Sequence, residues 1–359
     1  MRKWPQLTPE QIAAAKRVLE SGVLNGQRGP ETAAFEKEFA DWNGSRHAVA
    51  VSNGTVALEC ALAALRLKPP FDVVVPARTF IATGLAVLRA GGRPVFADVD
   101  ESSGCLTATS VRRVLTRRTK AVIAVHLGGY PCDVGEVSRL GIPVIEDCAQ
   151  AQGASRAGKK VGSLGLIGCF SFCNDKIMTT GGEGGMVTTD DANLADRIWS
   201  WKEHGRNRKL FGKPSGGHYV KCFETLGTNA RMTEMQAAIG REGLKVVGRW
   251  VELRQLHSSM LNGALTYNHS FLWGHAYYRY YWTAKSRAQR DMILKSGQVG
   301  VGSCPEIYLD KIFDGYRPKN RLPVAKMLGE RSIAFLVDPE QTPASLAAQA
   351  KAVGDVCSS

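Results

Sequence analysis

The sequence predicts an α/β protein with a mostly parallel central sheet sandwiched by helices and a smaller C-terminal α+β domain. Three observations carry this prediction. Between residues 46 and 190 short β-branched runs alternate with helical patterns, which is how parallel strands joined by crossover helices read. The strand runs are apolar without interruption, as strands covered on both faces must be. The chain has 359 residues, enough for about two domains at roughly 150 residues each.

The elements follow in order. His47 to Ser52 is the first strand, and Thr55 to Arg66 the helix after it. Asp72 to Pro76 is a strand, Ile81 to Ala90 a helix, and Pro94 to Asp98 the next strand. Val111 to Leu115 reads as helix, Ala121 to Val125 as strand, Val134 to Leu140 as a short helix, and Pro143 to Asp147 as strand. Cys169 to Cys173 and Gly185 to Thr189 are two more strands around a turn-rich segment. Helices resume at Leu194 to His204 and Thr233 to Lys245. Beyond about residue 246 the pattern becomes mixed, with the aromatic run Tyr277 to Trp282. The expected division is therefore a large domain with an N-terminal arm over 1–245 and a small one over 246–359.

Composition excludes several classes. With 44% hydrophobic and 22% charged residues the chain is folded rather than disordered. No run of about 18 apolar residues occurs, and no apolar stretch follows the basic start, so neither a membrane span nor a signal peptide is expected. The expected location is the cytoplasm. The nine cysteines include no C-x-x-C pair and are odd in number, which points to reduced, mostly buried thiols and no metal site. The formal net charge is +13. It concentrates at Arg112, Arg113, Arg117, Arg118 and Lys120, and at Lys202, Arg206, Arg208, Lys209 and Lys213. Neither cluster is interleaved with aromatics or set on a reading helix, so nucleic acid is not the expected partner. The first cluster reads as a solvated helix face, and the second as a place to meet a phosphorylated small molecule.

In an open parallel sheet, ligands bind beyond the carboxyl ends of the strands. Asn53-Gly-Thr55 follows a strand and opens a helix, where free N–H groups and the bare Gly54 suit a phosphate. An ordinary helix N-cap gives the same letters. Asp147 ends an apolar strand, where a carboxylate needs a positive partner. A protonated ring nitrogen of a cofactor would serve, and so would an internal arginine. His126, at another strand end, fits either a site residue or a satisfied core histidine. Lys176 stands between the strand residues Phe170 to Phe172 and the Gly-rich stretch Thr179 to Gly185. A lysine in an open pocket can form a Schiff base with an aldehyde. Lysine imine, acid, phosphate anchor and the strand-end hydroxyl of Ser171 together match pyridoxal phosphate.

The chain also resembles a family. Asn53-Gly-Thr55-Val-Ala-Leu58, Pro76-Ala-Arg-Thr-Phe80, His126-Leu-Gly-Gly129, Glu146-Asp-Cys-Ala-Gln150, Ser171-Phe-Cys-Asn-Asp-Lys176 and Gly227 through Gln236 are similar to the DegT/DnrJ/EryC1/StrS sugar aminotransferases. The likeness runs from about Gly29 to Pro339. It implies an aspartate-aminotransferase-like fold of type I and a homodimer with shared active sites. By position, Lys176 holds the cofactor aldehyde, Asp147 pairs with the ring nitrogen, Gln150 meets the ring hydroxyl side and Phe80 stacks on the ring. Gly54, Thr55 and Ser171 bind the phosphate, helped by Asn229 from the neighbouring subunit.

The same resemblance implies transfer of the amino group of L-glutamate to a keto-sugar, carried by a nucleoside diphosphate, in amino-sugar and surface-polysaccharide synthesis. Lysine at 176 speaks for transamination over dehydration. A cyclitol ketone or an aminobenzoate precursor is the alternative substrate, and a basic, non-catalytic nucleic-acid-binding regulator the remote one. For the substrate, the expectation names His126, Arg206 and Tyr308, with Arg208 and Lys209 assisting at the nucleotide. Tyr308 lies in Ser303 to Tyr308 and stands where relatives often carry histidine. The segments 133–146 and 262–275 are shorter than is typical of the family.

Overall fold

The computed structural model describes residues 3–210, 222–265, 274–297 and 304–357. The N-terminal helices α1 (Pro9–Ser21) and α2 (Pro30–Asn43) precede the sheet. Strand β1 (His47–Val51) leads to α3 (Gly54–Ala64), β2 (Asp72–Pro76) to α4 (Ala82–Arg89), and β3 (Arg93–Ala97) to α5 (Ala108–Arg112). Next come β4 (Thr119–Val125), α6 (Val134–Ser138) and β5 (Val144–Asp147), then the two-residue strands β6 (Ser155–Arg156) and β7 (Lys159–Lys160). Strands β8 (Ile167–Ser171) and β9 (Gly185–Thr189) complete the sheet before α7 (Ala192–Lys202) and α8 (Glu234–Ala264). The C-terminal part holds β10 (Tyr280–Thr283), α9 (Arg287–Lys295), α10 (Pro323–Arg331), β11 (Ser332–Phe335) and α11 (Pro343–Cys357).

The sheet has seven strands in the order β1-β9-β8-β5-β4-β2-β3. Only β9 runs against its neighbours, pairing antiparallel with both β1 and β8. The expected strands thus lie where the apolar runs placed them, within a few residues. Along β2 and β4 alternate residues face opposite layers. Val73, Val75, Ala121 and Ile123 pack toward α3, α4 and α7, whereas Val74, Val122 and Ala124 pack with Val134 and Val137 of α6. Phe35, Phe39, Phe170 and Phe172 join α2 to the sheet in a further aromatic cluster. A separate cluster built from Leu261, Tyr280, Trp282, Phe335 and Leu346 sits in the C-terminal part.

Two helices depart from expectation. Where the sequence reading expects Val111 to Leu115, α5 covers Ala108–Arg112, so of the first basic cluster only Arg112 lies on a helix and Lys120 lies in β4. The sequence reading ends the other at Lys245, but α8 runs 31 residues, so the expected division at 245/246 falls inside it. Its start is fixed by a capping box between Thr233 and Gln236. Val247, Trp250, Val251, Arg254, Ser258 and Leu261 carry the buried stripe onward at helical spacing. All nine cysteines are unpaired, and six of them are buried. Among the described residues no helix is long and apolar enough to cross a membrane.

Candidate active site

The parallel strands β1, β2, β4, β5 and β8 end on one edge of the sheet, and the candidate residues follow those ends. Lys176 lies in the turn after β8. The Trp4 indole N–H donates to its carbonyl at 2.9 Å, and its Nζ lies 5.0 Å from the centroid of the Tyr278 ring. The Tyr278 hydroxyl donates to the Asp175 carboxylate. Arg279 stands 3.5 Å from that carboxylate. Burial pushes the Asp175 carboxyl up, but the Lys176 charge and the Tyr278 hydroxyl outweigh it and leave the carboxyl below its ordinary range. Arg254, fully buried in α8, backs this group by donating to the Tyr278 carbonyl at 3.3 Å. Burial pulls its pKa down to about 10.

Asp147 ends β5 and is 6% exposed. Its Oδ2 accepts from the Thr83 hydroxyl at 2.9 Å and its Oδ1 from the Ala149 N–H at 3.1 Å. Burial raises its pKa, opposed by those donors and by the Lys176 charge. No arginine pairs with it among the described residues. Beyond the nearby Lys176 charge, the carboxylate has no cation in ion-pair contact to offset its desolvation. Gln150 is buried, and its Oε1 accepts from the Gly128 N–H at 2.7 Å.

Gly54 opens α3 against β8. A Cβ there would stand 2.5 Å from Ser171 Cβ, so only glycine allows the approach. Asn53 caps the helix through a bond from the Val56 N–H at 2.9 Å. The first-turn N–H groups of Gly54 and Thr55 have no intrahelical acceptor, as at any helix start. The N-cap is thus formed, and the donors that an anion would need remain without an intrahelical acceptor. Ser171 is held by Gln152, whose Nε2 donates to its carbonyl at 2.5 Å. Phe80, in the turn before α4, is 62% exposed, which leaves its ring face open for stacking.

Other candidates sit elsewhere. His126 is fully buried, accepts from the Cys132 N–H at Nδ1 (3.0 Å), and meets Glu146 through Nε2 at 2.9 Å. Both ring nitrogens are engaged, which corrects its expected place against substrate to that of a core histidine. Tyr308 is 2% exposed. Its hydroxyl donates to Glu306 at 2.5 Å and accepts from the Leu322 N–H at 3.2 Å, and its ring packs on Phe96. Burial pushes its pKa up to about 12. The packing that buries Tyr308 keeps it from lining an open pocket.

Asn229 is exposed and takes a bond from Arg231 at 3.0 Å. Among the described residues it forms no hydrogen bond with Lys176 or Ser171 of its own chain. Arg206 lies over the Phe223 ring at 5.0 Å. The second basic cluster is not one surface. Lys202 is 4% exposed and pairs with Glu36 at 2.9 Å, whereas Arg208 is exposed and pairs with Asp196 at 3.2 Å. Lys213 and Ser303 lie outside the described residues, as do residues 266–273 of the shortened segment. The first cluster is exposed throughout.

Sequence reasoning missed Tyr278, Asp175, Trp4 and Thr83. Tyr278 belongs to the aromatic run that marked the C-terminal part, but nothing in that run points to Lys176. It also missed Glu146. This carboxylate binds His126 and accepts from the Gly162, Leu164 and Gly165 N–H groups at 2.8, 2.8 and 2.6 Å, closing the 162–165 turn under the sheet.

A mostly parallel sheet carrying a lysine, a buried acid and a helix-start anion cradle beyond its strand ends has the architecture of a pyridoxal-phosphate-dependent aminotransferase. The comparisons agree. An aminotransferase structure from Psychrobacter cryohalolentis superposes with a TM-score of 0.92 at 42% identity, covering 99% of this chain and 98% of that one. UDP-N-acetyl-3-dehydro-alpha-D-glucosamine 3-aminotransferase of Acidithiobacillus ferrooxidans is 36% identical over 87% of this chain and 85% of its own length. L-glutamine:2-deoxy-scyllo-inosose aminotransferase of Streptomyces fradiae is 37% identical over 73% of this chain, and the match spans 64% of that relative's length. The chain belongs to the DegT/DnrJ/EryC1/StrS aminotransferase family, which it matches over residues 5–343. Enzymes of this family depend on pyridoxal 5'-phosphate. The residues present fit that group, since the cradle between Gly54 and Ser171 is a space that any Cβ would fill and Asp147 is a buried carboxylate without an ion-pair partner in contact.

Proposed function

We propose that the protein is a pyridoxal-phosphate-dependent transaminase that moves the amino group of L-glutamate to a nucleotide-linked keto-sugar. It works as a cytoplasmic homodimer in amino-sugar and polysaccharide synthesis. The observation that carries the reading is the meeting of Lys176, Asp147 and the Gly54–Ser171 cradle on one sheet edge. When bound, the cofactor supplies an aldehyde for imine chemistry and a ring that accepts an electron pair. Gly54, Thr55 and Ser171 would hold its phosphate, and Phe80 would cover one ring face. Asp147 would keep a proton on the ring nitrogen, for which its buried position supplies the drive. The Lys176 amine would take and return the substrate's α-proton, while the Tyr278 ring and Asp175 hold the amine in place. Asn229, exposed on its own protomer, would reach the partner's phosphate cradle.

The sugar substrate is supported by the Acidithiobacillus relative, whose name specifies a UDP-sugar. The Streptomyces relative, named for an inosose and for glutamine as donor, favours the second reading of a cyclitol ketone substrate. Purified protein mixed with glutamate and, side by side, nucleotide keto-sugars and scyllo-inosose-type ketones decides between them. Lys176→Ala must abolish turnover of either, and a Lys176→Ala protein that still turned over keto-sugar with glutamate would refute the assignment.

A further inference from the structure

The loop after β2 carries a guanidinium that the protein does not neutralise. Arg78 is 2% exposed. Its Nε donates to the Cys304 carbonyl at 3.0 Å, and its Cζ lies 5.2 Å from the centroid of the Tyr281 ring. Nη2 is buried with no hydrogen-bond acceptor. Among the described residues no carboxylate comes within ion-pair distance of it. An unpaired buried charge is costly, and a guanidinium does not shed its proton to escape burial as a lysine can. The ring face of Tyr281 offsets only part of that cost.

Arg78 forms part of the wall of a cleft together with Gly104, Tyr130, Tyr277, Tyr281 and Ser332. The cleft joins the ends of the sheet loops to the C-terminal strands β10 and β11. The space beside the guanidinium exists because residue 104 is glycine: a Cβ there would stand 3.0 Å from Arg78 Nη1. Gly104 has a φ of +67°, a backbone state that any side chain would strain. Glu101 also lines the cleft but is exposed and forms no pair with Arg78. None of Lys176, Asp147, Gln150 or Ser171 contributes to the lining, so the cleft is separate from the cofactor site.

We propose that this cleft is a binding site for a small oxyanion, a carboxylate or a phosphate. With Nε committed to Cys304, the free edge of the guanidinium is the Nη1/Nη2 end. Two N–H groups there lie parallel and match two oxygens of one anion. A neutral ligand would leave the charge uncompensated, and a cation would be repelled. The aromatic walls lower the local dielectric beside the guanidinium and strengthen the pair. Arg78 also immediately precedes Thr79, whose hydroxyl lies 3.1 Å from the Thr83 hydroxyl that binds Asp147. The anion site therefore abuts the segment that supports the acid.

The test uses the cofactor-loaded enzyme, so that the cofactor's own phosphate site is filled. Thermal unfolding of wild type is followed against inorganic phosphate and, separately, acetate, and repeated with Arg78→Met, which keeps the stem and removes the charge. Wild type rises in midpoint with at least one anion, and Arg78→Met binds it about tenfold or more weakly. A response to phosphate alone assigns a phosphoryl ligand, and a response to acetate alone a carboxylate. Crystals of wild type soaked in selenate supply a second readout that needs no variant: an anomalous peak within hydrogen-bond distance of the Arg78 guanidinium. Equal responses of wild type and Arg78→Met to both anions, or, where phosphate is the anion that binds, selenate density absent from Arg78, overturn the proposal.

Discussion

Gly54→Ala isolates the close approach of α3 to β8. The new Cβ would stand 2.5 Å from Ser171 Cβ and 3.0 Å from Ser171 Oγ. Carbon atoms rest at about 3.5–4.0 Å, so something must move by about 1 Å. A change of rotamer at Ser171 gives no relief, because its Cβ is fixed to the backbone. That backbone is pinned by the ladder to Gly185 and by the Gln152 bond to its carbonyl. The displacement therefore falls on the start of α3, which carries the Gly54 and Thr55 N–H groups. Gly54 does not have positive φ, so alanine meets no backbone strain and gains about 0.5–1 kcal/mol as a better helix residue. Overpacking costs about 1–3 kcal/mol. The net is a loss of up to about 2 kcal/mol in denaturant unfolding of the cofactor-free protein. The larger effect is on the anion site, where a 1 Å misplacement weakens cofactor binding about ten- to a hundredfold. Titration of cofactor-free protein with pyridoxal phosphate, followed by absorbance, measures it. A Gly54→Ala protein that gained stability and bound cofactor like wild type would show that this contact builds no cradle.

Three other substitutions separate structural from site roles. Glu146→Gln offers one acceptor oxygen to four donors and turns an NH2 group toward the rest; it should cost about 3 kcal/mol in unfolding free energy, and a loss below about 1 kcal/mol would contradict the network. Asp147 has its pKa raised by burial, so the cofactor-free fold holds its proton longer than the unfolded chain does. The stability tied to this group is full below the unfolded carboxyl value of about 3.9, and falls as pH rises through the raised folded value. Cofactor-free Asp147→Asn should accordingly be more stable than wild type at neutral pH, with a flatter pH dependence, while the loaded enzyme loses activity; a parallel pH profile would refute the assigned cause. Tyr308→Phe should lose about 1–2 kcal/mol of stability through its two hydroxyl bonds and leave the KM for sugar unchanged. The reverse pattern would put Tyr308 back in the pocket.

What the sequence made legible was local. Apolar runs located the strands because burial on both faces writes itself into consecutive residues, and Asp147, Ser171 and Lys176 were found because they follow such runs. Asn53 offered two readings; the cap is formed, and it leaves the first two N–H groups of the helix without an intrahelical acceptor, which the anion reading requires. The residues that escaped are those whose meaning comes from a distant partner. Tyr278 covers Lys176 from just before β10, and Trp4 reaches it from near the start of the chain. An aromatic letter says only that a ring wants burial, not against what. Tyr308 was placed by its position in a resemblance, whereas packing against Phe96 and the Glu306 carboxylate decided its role. Lys202 looked like surface charge until Glu36 and the Ala50 carbonyl were seen to hold it inside. Arg78 sits in the quoted run Pro76 to Phe80, and the run carries no sign of what makes this residue matter. Its interest is a missing counter-ion, and an absence of that kind has no letter. It emerges only when every acid that could have answered the charge has a position in space.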